Sequence, residues 1–405
     1  MPYQSNSSDP LTELINAASG AFQMNSRDRV LTTLGHKEPD HVPLDIGGSD
    51  VTGIHRDAYR RLARFIGLPE GVHLYHRVQQ LALPSEEMLR RLEVDVRPLV
   101  AQPPDSWELI LNDTGTHHTF ADEWGVEWAM PKAGGLYFDM ITHPLSQVLE
   151  AAELDDHSWP DGANKARFQG LRNQAERLVA RGLGITLAPA YGGILESAAW
   201  LRGYESFYMD LIRNPTLTEA ILDATLRFHL DFWGAALQEV GDLLDVAVEY
   251  DDLGWQWGLL ISKEMYRRYV RPRHEELFRF IKAHSRAAVF LHSCGAVYDL
   301  LPDFIESGVD ILNPVQVSAA EMGDTRRLKA EFGDHLVFWG GGVDTQGILP
   351  RATPAKVKDE VRRRIEELGP GGGFVFAAVH NIQPDVPPEN IMAMWEAWQE
   401  YGSYP

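Results

Sequence analysis

The sequence predicts an α/β fold, a TIM (β/α)8 barrel, because short apolar runs alternate with long amphipathic segments from residue 42 onward. A chain of 405 residues also suits a barrel that carries an insertion. Eight runs have the length and continuous apolarity of parallel strands that are buried on both sides. These runs are residues 42–46, 94–99, 184–190, 244–250, 287–292, 309–314, 335–341 and 373–380.

Helix signals fill the gaps between these runs. Ser262 precedes an amphipathic segment that extends to residue 284, and serine is a preferred N-cap. Thr353 followed by Pro354 marks another helix start, because proline suits the first helical position. Residues 386–402 form the last amphipathic segment. The pattern is therefore that of repeated strand–helix units.

One stretch interrupts the alternation. Residues 106–142 predict two or three antiparallel strands, with turns at Asp113–Gly115 and at Gly134–Gly135. We expect this stretch to be a β-hairpin insertion after the second barrel strand. Residues 1–25 predict a polar leader with one short helix, and residues 26–405 predict a single barrel domain.

Composition narrows the function classes. Hydrophobic residues make up 44% and charged residues 23%, as in globular domains. The formal net charge of −21 repels phosphate backbones, so we expect no nucleic-acid partner. Cys294 is the single cysteine, which excludes a disulfide within the chain. The start of the chain lacks a secretory-signal pattern, and no stretch approaches the about 20 apolar residues of a membrane span. We therefore expect a cytoplasmic protein with no membrane partner.

Polar residues and glycines collect after the predicted strands. Active sites of such barrels lie at the carboxyl ends of the strands, so these positions are candidates for function. The candidates for substrate binding are Asp45, Tyr191, Gln256, Gln316 and Asp344.

His292 and Cys294 give the sharpest signal. In an extended strand, residues two positions apart face the same side, so an imidazole and a thiolate would lie together. Nitrogen and sulfur are a zinc ligand set, and a catalytic zinc needs a third protein ligand. We predict His380 as that ligand, with the acids Glu249, Asp251 and Asp252 as alternatives. The competing interpretation is that His292 is a satisfied core histidine and Cys294 a small buried hydrophobe.

The acids after the fourth predicted strand give the second signal. Asp251 and Asp252 are adjacent, so only one can point into the barrel of an extended strand. The inward acid could bind metal or act as a general acid–base group. We take Asp252 and Glu249 as the catalytic candidates. The plainer alternative is that Asp251 or Asp252 caps the next helix.

Five segments together carry a family resemblance. They are SRDRVLTTLGHKEPDHVPLDIGG near the start, EYDDLGWQWGLLISKEMYRRYVRP, LHSCGAVYDLLPDFIESGVDILNPVQ, the stretch from Asp324 to Gln346 that ends in GGGVDTQ, and GGGFVFAAVHNIQPDVPPENI. Nearly the whole chain from about residue 26 resembles the uroporphyrinogen decarboxylase superfamily, and most closely its corrinoid-dependent methyltransferase branch.

The resemblance implies a TIM barrel and a zinc site. Similar methyltransferases bind zinc through a His-x-Cys pair, matched here by His292 and Cys294, and through a third ligand that is often cysteine. This chain has His380 close to that place. The resemblance implies transfer of a methyl group between a small donor or acceptor and a corrinoid. The chain has no D-x-H-x-x-G corrinoid motif, so the corrinoid would belong to a separate protein. A homodimer is the assembly that the resemblance suggests.

The favoured hypothesis is therefore a zinc-dependent methyltransferase acting on a methyl ether, a methylamine or a thiol. Zinc would act as a Lewis acid, and Asp252 or Glu249 would supply a proton to the leaving group. The alternative within enzymes is a metal-free decarboxylase of a small carboxylic acid. Uroporphyrinogen decarboxylases carry an arginine-rich M-R-Q-A-G-R motif on the first strand, whereas VPLDIGGSDVTG here has no arginine. The non-enzyme alternative is a barrel that only binds a ligand.

Overall fold

The computed structural model describes residues 24–189 and 191–405. Its centre is a curled sheet in which each strand pairs in parallel with the next one along the chain. We label its strands β1 (Val96–Leu99), β2 (Gly184–Leu187), β3 (Val246–Tyr250), β4 (Ala288–His292), β5 (Ile311–Asn313), β6 (Val337–Trp339) and β7 (Phe374–Val375).

Residues 42–46 close the barrel between β7 and β1. The Phe376 N–H donates to the Pro43 carbonyl at 2.8 Å, and the Asp95 N–H donates to the Leu44 carbonyl at 2.9 Å. This first predicted strand occupies its expected place but forms only an isolated bridge, between Leu44 and Phe376. The reason is local: Pro43 has no N–H, and the Leu44 N–H donates to the Asp95 carboxylate at 2.8 Å instead of to a ladder carbonyl.

The predicted (β/α)8 barrel is confirmed, with shorter strands than the apolar runs suggested. In the run 184–190, for example, the strand ends at Leu187, and residue 190 lies outside the described residues. The residues that follow each strand leave the ladder and build the barrel mouth.

Most of the predicted leader, residues 1–23, also lies outside the described residues. Asn25 accepts a hydrogen bond from the Asp28 N–H at 2.9 Å and caps the first described helix.

Helices surround the sheet. The predicted caps are confirmed: Ser262 accepts from the Met265 N–H at 3.2 Å, and Thr353 accepts from the Lys356 N–H at 3.5 Å. The segment after Ser262 contains one π-helical stretch, Tyr266–Val270. The α-helices are Ser26–Leu34, Arg56–Phe65, Glu86–Arg91, Leu171–Ala180, Ile194–Arg202, Tyr204–Arg213, Pro215–Val240, Lys263–Met265, Arg271–His284, Leu301–Ser307, Thr325–Phe332, Ile348–Arg351, Pro354–Leu368 and Pro388–Tyr401. The 3-10 helices are Ala151–Asp156, Lys165–Phe168 and Tyr298–Leu300. Within the described ranges, none of the helices combines the length and apolarity that a membrane crossing requires.

Three small antiparallel sheets lie outside the barrel sheet in the described part of the chain. The predicted insertion after β1 is confirmed, but it has four strands instead of two or three: Asn112–Asp113, His117–Ala121, Glu127–Pro131 and Asp139–Thr142. Two further sheets had no counterpart in the sequence analysis. One combines Ile54–His55, His73–His76 and Leu81–Leu83, and the other is the hairpin of Gly254–Trp255 and Gly258–Leu259. Both arise from the segments that follow barrel strands and therefore stand near the mouth.

Alternation along the strands separates two apolar layers. Odd and even positions of a strand face opposite sides of the sheet. One set packs inside the barrel, and the other packs against the helices. The inner cluster includes Val96, Val246, Val248, Tyr250, Phe290, Ile311, Val337, Trp339 and Val375. Apolar side chains thus fill the barrel through most of its height, and the candidate site lies at the carboxyl ends of the strands.

Candidate metal centre at the barrel mouth

The last residue of β4 places an imidazole inside the barrel. His292 lies beside Tyr250 of β3 and Asn313 of β5 in the parallel register, and it is two residues beyond the inward-facing Phe290. His292 is 4% exposed. The alternation of the strand therefore turns its ring toward the barrel axis, as the sequence predicted.

The thiol of Cys294 lies directly beside this ring. Its Sγ atom is 3.2 Å from Nε2 of His292. His380, which follows β7, approaches from across the barrel, and its ring centroid is 5.2 Å from that of His292. One potential ligand atom from each of these three side chains lies within 4.8 Å of the other two. The structure thus brings together the three predicted metal ligands in a group compatible with a bound metal such as zinc.

Asn313 orients the His292 ring. Its side-chain amide Nδ2 donates to the Trp339 carbonyl at 2.7 Å, which turns its Oδ1 toward His292. That Oδ1 is 2.5 Å from Nδ1 of His292. Because Oδ1 can only accept, Nδ1 carries the proton and Nε2 keeps its lone pair toward the Cys294 sulfur. Metal-binding histidines are commonly oriented in this way by an acceptor on their other nitrogen.

His380 is kept neutral by its surroundings. Burial, together with the neighbouring His292, lowers the pKa of His380 to about 3. The Asn381 N–H donates to Nδ1 of His380 at 2.7 Å. A neutral ring is the form that binds a metal, but a metal held by His380 would replace this hydrogen bond, because the ring has one lone pair.

The Cys294 thiol is protonated in the absence of a cation. Burial raises the pKa of Cys294 well above its usual range, and the nearby carboxylates of Asp252 and Glu196 raise it further. Both effects oppose a bare thiolate, since each disfavours negative charge at the sulfur. A metal cation at the group would reverse this balance and displace the proton.

Asp252 lies at the edge of this group. Its Oδ1 accepts from the Cys294 N–H at 2.7 Å and is 3.7 Å from Nε2 of His292. Its side chain is 35% exposed, so the carboxylate also faces the open mouth. Of the two predicted catalytic acids, Asp252 is therefore the one that reaches the site.

Glu196 is an acid at the mouth that the sequence analysis missed. Burial raises the pKa of Glu196 well above its ordinary value, and the charges of Asp252 and Asp251 add to this. Glu196 lies in the first turn of the helix after β2, far from Asp252 in sequence. The PAYGG segment at the end of the third apolar run, 184–190, was the available signal, because a helix that follows a strand end starts at the mouth.

Glu249 points away from the mouth. It precedes the inward-facing Tyr250 and therefore faces the helix layer. Nδ1 of His229 lies 3.0 Å from its Oε2, and the Trp233 indole N–H also donates to its carboxylate. Glu249 is 1% exposed. Its position is that of a buried ion pair between β3 and the helix Pro215–Val240.

Asp251 caps a helix, but this helix precedes it in the chain and is not the next helix that the plainer sequence alternative named. Its Oδ1 accepts from the N–H groups of Leu195 and Glu196 at 2.8 and 2.9 Å. Its Oδ2 lies 2.7 Å from Nε2 of His274. With both oxygens engaged and no exposure, Asp251 fixes the position of the helix that carries Glu196.

The five predicted substrate-binding residues do not lie together. Gln256 and Gln316 lie at the rim of the mouth, where Gln316 Oε1 accepts from the Gly295 N–H at 2.8 Å and Gln256 donates to the Ser318 carbonyl. Asp344 caps a turn by accepting from the N–H groups of Gln346 and Gly347 at 3.0 and 2.9 Å.

The other two predicted substrate-binding residues, Asp45 and Tyr191, do not lie at the rim of the mouth. Asp45 lies inside the barrel below the mouth and accepts from the Trp339 indole N–H at 2.8 Å. Burial raises the pKa of Asp45 to about 6. Tyr191 stacks on Trp124 of the insertion, with ring centroids 4.7 Å apart, and contacts Trp200 edge-on. Tyr191 therefore packs the insertion against the barrel instead of facing the His292 group.

Gly295 allows the turn that places Cys294. Its φ of +87° is in the left-handed region, and a Cβ there would lie 2.5 Å from the Trp255 backbone nitrogen. We expect Gly295→Ala to push away the hairpin that contains Trp255 and to destabilise the protein by more than the about 1 kcal/mol of a left-handed alanine. Gly115→Ala is the matched control, since Gly115 has the same φ and open space around its Cβ. Equal urea midpoints for the two variants would contradict this account.

Comparisons with known proteins agree with this architecture. The uroporphyrinogen decarboxylase (URO-D) family model matches residues 119–401. Uroporphyrinogen decarboxylase of Thermus thermophilus is 29% identical over 149 residues, which cover 36% of this chain and 39% of that protein. The enzyme of the same name from Alkalilimnicola ehrlichii is 24% identical over 318 residues, covering 75% and 79%. A methyltransferase from Methanosarcina mazei has a similar fold, with a TM-score of 0.64 at 19% identity over 93% of this chain and 99% of the other. The match thus spans about two fifths of the Thermus relative.

Proposed function

This chain belongs to the uroporphyrinogen decarboxylase family, and from that premise we propose that it is a zinc-dependent methyltransferase. It would move a methyl group between a small substrate, of the methyl ether, methylamine or thiol type, and a corrinoid on a separate protein. The Methanosarcina mazei methyltransferase, whose fold this chain shares, supports the choice of methyl transfer over decarboxylation.

The observation that carries the proposal is the group formed by His292, Cys294 and His380. Two imidazoles and one thiol make a donor set suited to zinc with one coordination position left for a substrate. The Nε2 lone pair of His292 is already directed to the Cys294 sulfur by Asn313. Zinc bound there would supply Lewis acidity toward the substrate heteroatom.

The acids beside this group would handle the proton. Asp252 reaches the open mouth and lies within 4 Å of His292. Burial and the adjacent acids raise the pKa of Glu196 well above its ordinary value, which favours the protonated form that can donate a proton to a departing oxygen or nitrogen. We assign proton transfer to these two residues, and we assign a structural role to Glu249.

The charges at the mouth disfavour the decarboxylase alternative. A metal-free decarboxylase needs cationic side chains to hold the substrate carboxylate. In the described part of the chain, the ionisable side chains that act on Cys294 are the acids Asp252 and Glu196. This environment repels a carboxylate substrate.

The hairpin beside Cys294 offers a docking surface for the corrinoid protein. Trp255 and Trp257 are 53% and 71% exposed, which is unusual for tryptophan. The Ala296 N–H donates to the Trp255 carbonyl at 2.9 Å, so this hairpin is attached to the segment that follows Cys294. We propose that the corrinoid protein contacts these two indoles as it approaches the mouth.

The function is tested by following cobalamin absorbance. The zinc-loaded protein is mixed with cob(I)alamin and a panel of methyl ethers and methylamines, and in the reverse direction with methylcobalamin and thiols. We expect turnover with one class of substrate, its loss on removal of zinc, and its return on zinc addition. Absence of turnover in both directions would favour a barrel that only binds a ligand, and metal-independent release of carbon dioxide would favour the decarboxylase.

Asn313 provides a prediction about the metal. Asn313→Ala removes the acceptor that fixes the His292 tautomer, so we expect zinc affinity to fall by about 10- to 100-fold. Competition with a chromophoric chelator measures this change. The matched control is Asn390→Ala, which removes another buried asparagine, one that donates to the carbonyls of Leu349 and Ala352. An equal loss of zinc affinity in both variants would mean that Asn313 acts only through stability.

A further inference from the structure

The carboxylate of Asp50 faces the mouth from the side of the barrel opposite Cys294, which we call the Asp50 wall. Asp50 follows the segment 42–46 that closes the barrel. The Tyr250 hydroxyl donates to its Oδ1 at 2.5 Å, and the Asn381 side-chain amide donates to its backbone carbonyl at 2.8 Å. Its side chain is 20% exposed. Two neighbours of the His292 group, one from β3 and one next to His380, thus hold this carboxylate in place.

The Asp50 carboxylate has no cationic partner among the described residues. No lysine or arginine nitrogen of residues 24–189 or 191–405 lies within 4.0 Å of it. The nearest basic atom is Nε2 of His76, at 3.9 Å from Oδ2. Burial lowers the pKa of His76, which disfavours a positive charge on its ring. A mostly buried carboxylate without a cationic partner is unusual, because buried carboxylates are normally paired.

A bound metal would not neutralise this wall. A dication with the Cys294 thiolate leaves one positive charge, which the adjacent Asp252 carboxylate offsets. Asp50 is separated from that group by the ring of Tyr250, whose centroid is 6.3 Å from that of His292. A metal at His292 and Cys294 therefore brings no cation to the Asp50 carboxylate.

Aromatic rings accompany this charge. Tyr250 carries the hydroxyl that binds Asp50, and Tyr75 lies close enough that burial and the Asp50 charge raise its pKa well above the usual range. The same wall would repel a sulfonate or carboxylate.

We propose that Asp50 binds an ammonium group of the substrate, so that the substrate class is a small cationic amine whose heteroatom reaches His292 and Cys294. This inference rests on the proposed function, because it assumes that the substrate spans the mouth between the two walls. Asp50 is then a specificity-determining residue, and Tyr250 positions its carboxylate.

Three thiols of similar size test the proposal. Cysteamine is a cation, 2-mercaptoethanol is neutral and thioglycolate is an anion, while all three offer a sulfur that can bind zinc. Binding to the zinc-loaded full chain is measured by titration calorimetry, and the absorbance of the cobalt(II)-substituted protein reports sulfur ligation separately. We expect cysteamine to bind about tenfold more tightly than 2-mercaptoethanol, with thioglycolate weakest.

Two variants assign this preference to its residue. Asp50→Asn keeps an acceptor for the Tyr250 hydroxyl but removes the charge, and we expect it to bind cysteamine and 2-mercaptoethanol about equally. Asp334→Asn removes an exposed acid that precedes β6, at the opposite end of the barrel, and should keep the wild-type preference.

The outcomes distinguish a failure of ammonium binding at Asp50 from a failure of the proposed function. If wild-type protein binds cysteamine no better than 2-mercaptoethanol, or if Asp50→Asn keeps the preference, the inference is overturned while thiol binding still supports the proposed function. If none of the thiols binds and the cobalt(II) spectrum stays unchanged, the inference is likewise overturned, because no sulfur then reaches the metal from a substrate held at Asp50. If the chain takes up neither zinc nor cobalt(II), the proposed metal site itself is overturned.

Discussion

Cys294→Ala is expected to remove zinc and to lower methyl transfer by about a thousandfold or more, since a metal's stabilisation of a developing charge is worth several kcal/mol. Cys294 is the single cysteine in the chain, and Nε2 of His292 faces its thiol at 3.2 Å. With the sulfur gone, the two imidazoles that remain would hold zinc weakly. Elemental analysis of the purified variant, together with the cobalamin assay, measures both effects.

The control for this prediction replaces a histidine elsewhere in the barrel. His335→Ala alters an exposed residue next to β6, far from the mouth, and should keep both zinc and turnover. His380→Ala should lose most of the metal if His380 is the third ligand. Stoichiometric zinc in Cys294→Ala, or full turnover without zinc, would contradict the proposed metal centre.

Glu249→Gln is expected to cost about 3 to 5 kcal/mol of stability, because it breaks a buried ion pair. The carboxylate lies 3.0 Å from Nδ1 of His229 and also accepts from the Trp233 indole, with both partners buried. We expect turnover of the folded variant to stay within about threefold of wild type, since Glu249 faces the helices. Urea denaturation and the cobalamin assay together test this prediction.

The matched control is Glu366→Gln on the helix Pro354–Leu368. Glu366 forms an exposed pair with Arg362 at 2.7 Å, so its loss should not change the urea midpoint measurably. If Glu249→Gln lost activity about a hundredfold at unchanged stability, Glu249 would regain the acid–base role that the sequence suggested.

The same ion pair predicts a pH dependence. Burial alone lowers the pKa of His229, but the charge and hydrogen bond of Glu249 outweigh it and raise the pKa above the ordinary value. The folded state therefore binds this proton more tightly than the unfolded state, where the pKa is about 6.5. The stabilisation is present below about pH 6.5 and is lost as the pH rises through the folded-state pKa. Glu249→Gln should abolish this decline in urea titrations across pH, whereas Glu366→Gln should keep it.

Local periodicity in the sequence determined the barrel and one half of its candidate site. Alternation along an apolar run is enough to place His292 and Cys294 on one face, because side chains of a strand repeat every two residues. The same alternation places Glu249 and Tyr250 on opposite faces of β3. Glu249 was nevertheless predicted, with Asp252, as a catalytic residue. The position of these residues at strand ends follows from the (β/α)8 pattern alone.

Tertiary structure decided which distant residues join that pair. His380 meets His292 only because residues 42–46 close the sheet, and Asp50 faces the mouth through the Tyr250 hydroxyl. Glu196 arrives on a helix whose position Asp251 fixes. Sequence periodicity sets the face of each element, whereas closure, register and helix placement set the distances between elements, and a binding site depends on those distances.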